Sequence, residues 1–262
     1  MGNVRSGTVS WVDLSTPDIE SAQRFYVGLL GWELDVQRTP LGEYTVASSN
    51  GREVAGMMAQ APDIAGAPAV WTIFVVVDDM DATLTRATGA GGEVLQSPFE
   101  IPGGAWVAVV ADRAGAMFAL ISGGPEPGYP YLSEEVGAVC WAELMTGDVQ
   151  AAIGFYHEVF GWTAEIDDTG PVPYTVCNLD GDAVAGMIGR PADLPAEVPD
   201  SWSVYFTVVE CERAQSRAVE LGGSVILSAT TTPMGPFAVL ADPAGAAFQI
   251  MEISSPPEPS DD

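Results

Sequence analysis

Trp11 to Trp32 reads WVDLSTPDIESAQRFYVGLLGW, and 130 positions later Trp141 to Trp162 reads WAELMTGDVQAAIGFYHEVFGW. Trp11, Leu14, Asp18, Ala22, Phe25, Tyr26, Gly31 and Trp32 recur as Trp141, Leu144, Asp148, Ala152, Phe155, Tyr156, Gly161 and Trp162. Matches at one ungapped offset mark two copies of one unit. Within each copy an alternating run with Trp reads as a strand. Thr16 is expected to cap the helix that follows, with Pro17 in its first turn. Ile19, Ala22, Phe25, Tyr26, Leu29 and Leu30 then repeat at three and four, one face of a helix, and Gly31 stops it.

Outward from that stretch, three strand-like runs follow, 32–38, 43–49 and 53–59, with Pro40, Gly42 and Asn50-Gly51 at the turns. The unit is βαβββ. A second such unit spans 70–121, with a strand at 70–77, a helix from about Asp79 and further strands near 93–96, 106–111 and 116–121. The Gly- and Pro-rich stretch SGGPEPGYPYLSEEVG joins this half to the next. PYTVCNLDGDAVAGMIG echoes EYTVASSNGREVAGMMA, and ADPAGAAFQIM echoes ADRAGAMFALI. The chain is therefore four βαβββ units in two pairs, an α+β protein. The expected divisions are a domain over 1–122, a linker over 123–137, a domain over 138–253 and a disordered acidic tail over 254–262.

The chain has 262 residues, enough for two domains with cores of their own. There are 36 Asp and Glu against nine Arg and no Lys, a net charge of −27. Such a surface repels phosphates and anionic lipid, which argues against nucleic acid and membrane partners. Cys140, Cys177 and Cys211 are odd in number and lack CxxC spacing, which fits a reducing cytoplasm. MGNVRSGTVSWVDL offers no signal-peptide core, and no run approaches the length of a membrane helix.

The motif strand–D-x-x-x-A-x-x-F-Y-x-x-x-x-G-W, at Asp18 to Trp32 and Asp148 to Trp162, resembles the vicinal oxygen chelate superfamily. The closing D-P-x-G at Asp242 to Gly245, varied to DRAG at Asp112 to Gly115, belongs to the same resemblance. That superfamily includes glyoxalase I, extradiol dioxygenases, bleomycin-binding proteins and fosfomycin-resistance enzymes. The closest likeness is to tandem glyoxalase-like proteins of actinobacteria. The resemblance implies two eight-stranded cups with helices outside. It also implies a divalent metal in a cup, held by His and Glu from first and last strands.

Carried over position by position, those ligand sites fall on Trp11, Gly56, Thr72 and Ala119 in the first half. In the second they fall on Trp141, Gly186, Val204 and Gln249. Only Gln249 is a plausible donor and Thr72 a poor one, whereas a metal needs at least three. No metal or other cofactor is therefore expected, and a divalent metal is the alternative. Fold does not carry function across such a loss.

The remaining chemistry is sparse. His157, the one histidine, reads as a helix-surface residue rather than a base. Asp13 and Glu143 share one repeat position, two residues after the Trp, so strand alternation turns both into the cups. They are the candidate catalytic carboxylates, with a structural role for the pair as the competing reading. Trp11, Tyr44, Thr72, Phe74 and Trp106, with Trp71, are expected to line the first cup. Trp141, Tyr174, Phe206, Phe237 and Gln249 are expected to line the second. Aromatic walls with few polar groups suit a flat hydrophobic ligand; filled cups are the alternative. SPFEIPGGAW and SATTTPMGPF read as mobile loops at the cup mouths.

The leading expectation is a cytoplasmic, metal-independent protein, monomer or homodimer. It binds or converts a hydrophobic or aromatic small molecule. The rival is a metal-dependent glyoxalase-type lyase or dioxygenase-type oxidoreductase with atypical ligands. A third reading is a non-catalytic interaction protein with both cups filled.

Overall fold

The computed structural model describes residues 4–61, 66–123, 135–170, 172–192, 194–195 and 198–252. The tail over 254–262 and most of the linker lie outside the described residues. The first half runs β1 (Val9–Thr16), α1 (Ile19–Leu30), β2 (Glu33–Thr39), β3 (Gly42–Ser49), β4 (Arg52–Ala59), β5 (Val70–Val76), α2 (Met80–Gly89), β6 (Glu93–Glu100), β7 (Ala105–Ala111) and β8 (Met117–Gly123). The second repeats it as β9 (Val139–Thr146), α3 (Val149–Phe160), β10 (Thr163–Asp167), β11 (Tyr174–Leu179), β12 (Asp182–Gly189), β13 (Ser201–Val208), α4 (Cys211–Glu220), β14 (Ser224–Thr232), β15 (Gly235–Ala241) and β16 (Ala247–Glu252). Each half makes one eight-stranded sheet, in the order β2-β3-β4-β1-β5-β8-β7-β6 and β10-β11-β12-β9-β13-β16-β15-β14. The two first strands of each half, β1 with β5 and β9 with β13, pair antiparallel at the sheet centre. Fourth strands return parallel beside first strands, as β4 does on β1 and β8 on β5.

The repeated motif closes locally as helix chemistry requires, with one correction. Asp18, not Thr16, caps α1: its carboxylate accepts the Ser21 N–H at 2.9 Å. Thr16 Oγ1 instead accepts the Asp18 N–H at 3.4 Å, and Pro17 precedes the helix. Asp148 repeats the cap on Ala151. Gly31 and Gly161 end their helices in the left-handed region, φ 72° and 77°, where a Cβ is strained. The two mouth segments are also corrected. SPFE completes β6, and SATTT lies in β14, so each is mostly half of a hairpin rather than a free loop.

Strand alternation divides each sheet into two faces. One carries Val12, Leu14, Trp71, Ile73 and Val75 in the first half and Trp202, Val204 and Phe206 in the second, all buried. These core faces meet across the molecule, with Trp71 and Phe206 ring centroids 5.2 Å apart. Helices enclose the joint, α1 against α4 and α2 against α3. The other face of each sheet is the cup.

The conserved spacing inside the repeat is explained at this joint. Tyr26 on α1 accepts the Trp71 Nε1–H at 2.9 Å and donates to Asp242 Oδ2 of the other half at 3.3 Å. Tyr156 on α3 accepts from Trp202 at 2.8 Å and donates to Asp112 Oδ2 of the first half at 3.1 Å. Asp112 and Asp242 each hold their own turn through the other oxygen, which accepts two backbone N–H groups. Trp32 stacks on Tyr26 and donates to the Gly137 carbonyl at 2.7 Å. Trp162 stacks on Tyr156 and donates to the Gly7 carbonyl at 2.8 Å. Phe25 and Phe155 insert so closely that a Cβ at Gly223 or Gly92 would stand 2.8 or 2.9 Å from their rings. The halves therefore clasp each other reciprocally, as two copies of one chain would in an isologous pair.

Tyr156→Phe removes the donor to Asp112 and the acceptor of Trp202 inside a buried core. Its expected cost is about 1–3 kcal/mol. Thermal unfolding followed by tryptophan fluorescence should show one transition at a lower midpoint. Two separate transitions would mean that the halves fold independently of the clasp.

Candidate functional site

In the first cup β1 presents Trp11 and Asp13, β3 presents Tyr44, β4 presents Gly56, and β5 presents Thr72 and Phe74. The register sets Asp13 opposite both Gly56 and Thr72, and Phe74 opposite Trp11 and Ala119. Gly56 is required there, because a Cβ would collide with the Tyr44 hydroxyl and Asp13 Oδ1. Those groups close a triangle over the glycine. Trp11 Nε1 donates to Asp13 Oδ1 at 2.8 Å and to Tyr44 Oη at 2.9 Å, and Tyr44 donates to Asp13 Oδ1 at 2.7 Å. Burial nevertheless dominates and pushes the Asp13 carboxyl up to about 6, against the two hydrogen bonds that favour its charged form.

The second cup repeats the frame with different contents. Trp141 and Glu143 come from β9, Tyr174 from β11, Gly186 from β12, Ser203 and Tyr205 from β13, Phe237 from β15 and Gln249 from β16. Glu143 faces Gly186 and Ser203, and Tyr205 faces Trp141 and Gln249. Trp141 Nε1 donates to Tyr174 Oη at 2.7 Å, and Tyr205 donates to Glu143 Oε1 at 2.9 Å. Tyr174 also bonds Glu143. Burial raises the Glu143 carboxyl above its ordinary range, and the two phenols oppose that shift. Phe237 lies beside Tyr205, ring centroids 6.3 Å apart.

Three sequence expectations about the cups are corrected. Phe206 lies on the core face against Trp32, Trp71 and Tyr26, and Val204 is on that face too. The inward residues of β13 are Ser203 and Tyr205. Aligning Trp202 with Trp71 gives this frame directly, since Thr72 and Phe74 then match Ser203 and Tyr205. Trp71 itself belongs to the core joint. Trp106 pairs with Ser122, is 45% exposed and has the wrong parity for the cup; its neighbour Val107 faces in, packed with Phe74 and Ala119. The structure does bring Trp11, Asp13, Tyr44, Thr72 and Phe74 to one cup. It brings Trp141, Glu143, Tyr174, Phe237 and Gln249 to the other.

The donor set does not fit the metal that the fold implies. In the first cup the positions carried over hold Trp11, Gly56, Thr72 and Ala119, and the Tyr44 hydroxyl fills the space over the glycine. In the second, the corrected frame puts Trp141, Gly186, Ser203 and Gln249 at those positions, an amide and a weak hydroxyl donor, and Glu143 beside them is already bonded by Tyr174 and Tyr205. Among the described residues no three His, Cys, Asp or Glu side chains stand close enough to share an ion. His157 is exposed, its Nδ1 2.9 Å from the Trp162 carbonyl oxygen. The thiols are no nucleophiles: burial pushes Cys140 and Cys211 up to about 11 and Cys177 to about 12.

The Asp13 shift has a signed consequence. Its pKa is raised on folding, from 3.8 to about 6, so the folded state is favoured while Asp13 is protonated and loses that advantage as pH rises. Stability of the native protein relative to Asp13→Asn should fall by about 2 kcal/mol between pH 4 and pH 6.5, then level off. Chemical denaturation of both proteins across that range measures it; a flat difference would show that Asp13 titrates normally.

Comparison with known proteins agrees with this architecture. The profile described as Glyoxalase/Bleomycin resistance protein/Dioxygenase superfamily matches residues 8–120 and again 138–250. The chain is 36% identical over 267 residues to the anthracycline biosynthesis protein DauV of Streptomyces sp. (strain C5), covering 94% of each. It is 34% identical over 253 residues to the putative glyoxylase CFP32 of Mycobacterium tuberculosis, covering 95% of each. The Mn(II)-bound glyoxalase from Novosphingobium aromaticivorans shares the fold, with a TM-score of 0.65 at 15% identity over 95% of this chain and 82% of that one. Among the described residues no helix is long and apolar enough to cross a membrane. With both halves matched by one profile, and relatives this similar along nearly their whole length, the chain belongs to the glyoxalase/bleomycin resistance protein/dioxygenase superfamily.

Proposed function

We propose that this protein binds a flat, hydrophobic small molecule in a cup without a metal, and that a buried carboxyl meets the polar edge of that ligand. The observation that carries this reading is the second-cup network of Trp141, Tyr174, Glu143 and Tyr205. It puts a carboxyl of raised pKa between aromatic walls. Rings provide large contact area, and a few fixed polar atoms orient the ligand. Glu143 is placed to exchange a proton or share a hydrogen bond with a ligand hydroxyl, and burial raises its carboxyl above the ordinary range. The similarity to a protein named for anthracycline biosynthesis supports a polycyclic aromatic ligand. The internal clasp uses the surface that a pair of short chains would use, which supports a monomer.

Titration of tryptophan fluorescence with 2-hydroxyanthraquinone is the first test. Trp141 stands in the cup, so binding should quench it, with a Kd on the order of 1–100 μM. Tyr205→Phe, which frees Glu143 of one donor, should weaken binding about threefold to tenfold. No saturable quenching by any hydroxylated polycycle would end this reading.

Metal content is the second test. Protein purified without chelator and then incubated with Mn, Fe, Co, Ni or Zn should carry far less than one ion per chain. One tightly held ion per chain, lost on Glu143→Gln, would replace this reading with a metalloenzyme of the same superfamily.

A further inference from the structure

The two cups share a frame but not a chemistry. Phe74, Ala119 and Val107 in the first are matched by Tyr205, Gln249 and Phe237 in the second. In the first cup Trp11 and Tyr44 both point at Asp13 Oδ1. Phe74, Val107 and Ala119 form a closed apolar cluster, with Trp11, Phe99, Ile101 and Ile121 packed on it. Asp13 beneath is 8% exposed. In the second cup Trp141 donates to Tyr174, and Tyr174 and Tyr205 both bond Glu143, which is half-buried rather than buried.

Gln249 is the decisive residue. It lies on the last strand, on the face that carries Tyr205, and is only 7% exposed. Its Oε1 is buried and has no hydrogen-bond partner. Folded proteins pair nearly all buried polar atoms, because an unpaired one forfeits its hydration with no return. The residue could be apolar, as Ala119 is at the same position of the first cup. An amide oxygen held unpaired in an aromatic cup is an acceptor kept ready for a donor that arrives with a ligand.

We propose that the second cup is the ligand cup and that Gln249 is its specificity-determining residue, its Oε1 accepting a hydrogen bond from a hydroxyl or N–H group of an aromatic ligand, while the first cup is closed by its own side chains. This rests on the small-molecule reading above and narrows it to a phenol-like or hydroxylated polycyclic ligand, one per chain. A site with an unpaired acceptor rejects an analogue that lacks the donor, because the acceptor then stays unpaired.

The test compares 2-hydroxyanthraquinone with 2-methoxyanthraquinone, which keeps the oxygen and loses the donor, by calorimetric titration of the full chain and of Gln249→Met. The expected result is one molecule per chain and a preference for the hydroxyl compound of about tenfold. Gln249→Met should erase that preference. Without ligand, Gln249→Met should also melt higher than the native protein, by roughly 1–4 °C, since a buried orphan has been replaced by an apolar group. A lower melting temperature would show that the amide is a structural group and would overturn the inference. So would a preference that survives in Gln249→Met, or two molecules bound per chain. Failure of both compounds to bind would count against the aromatic-ligand reading itself; the ligand-free melting comparison would then decide alone whether Gln249 is held unpaired.

Discussion

The phenol hydroxyls of Tyr26 and Tyr156 hold the molecule in one piece. Each sits in a buried core, accepts a hydrogen bond from a tryptophan of its own half's sheet and donates its own proton to an aspartate in the other half. Burial and the neighbouring Asp keep both phenols well above their ordinary pKa, so they remain protonated donors. Neither half can satisfy these groups alone. Phe25, Phe155, Trp32 and Trp162 follow from the same joint, since each packs against or bonds to the opposite half.

That joint decides where function can lie. It buries the core faces of both sheets and the apolar stripes of the helices, which leaves the cup faces as the sheet surface open to a ligand. Duplication then relaxes the constraint on each cup. One copy can be filled with Phe74, Val107 and Ala119 at no cost to the other. The other copy keeps Glu143, Tyr205 and Gln249 with an unpaired amide oxygen, a combination that stability by itself does not favour.

Much of this was legible in the chain because repetition acts as internal evidence. The eight matches at one offset located both helices, their glycine stops and the pairing of halves. Alternation placed Asp13 and Glu143 in the cups. Reading failed where the frame shifted by one residue. Phe206 and Val204 looked like counterparts of Phe74 and Thr72, yet Trp202 answers Trp71, so Tyr205 and Ser203 are the inward pair. Trp106 failed for the same reason, because a one-residue slip moves a side chain to the opposite face. Thr16 lost the cap to Asp18 because the helix begins two residues later than the Thr-Pro signal suggests.

The sequence by itself determined the βαβββ unit and its fourfold use, because these depend on local periodicity and on residue types at repeated positions. Only the tertiary structure decided why the motif carries Phe-Tyr and Gly-Trp, which reach partners more than a hundred positions away. It alone showed Gln249 Oε1 buried without a hydrogen-bond partner. Hydrogen-bond satisfaction depends on which atoms meet in space, and residue spacing along the chain does not contain that information.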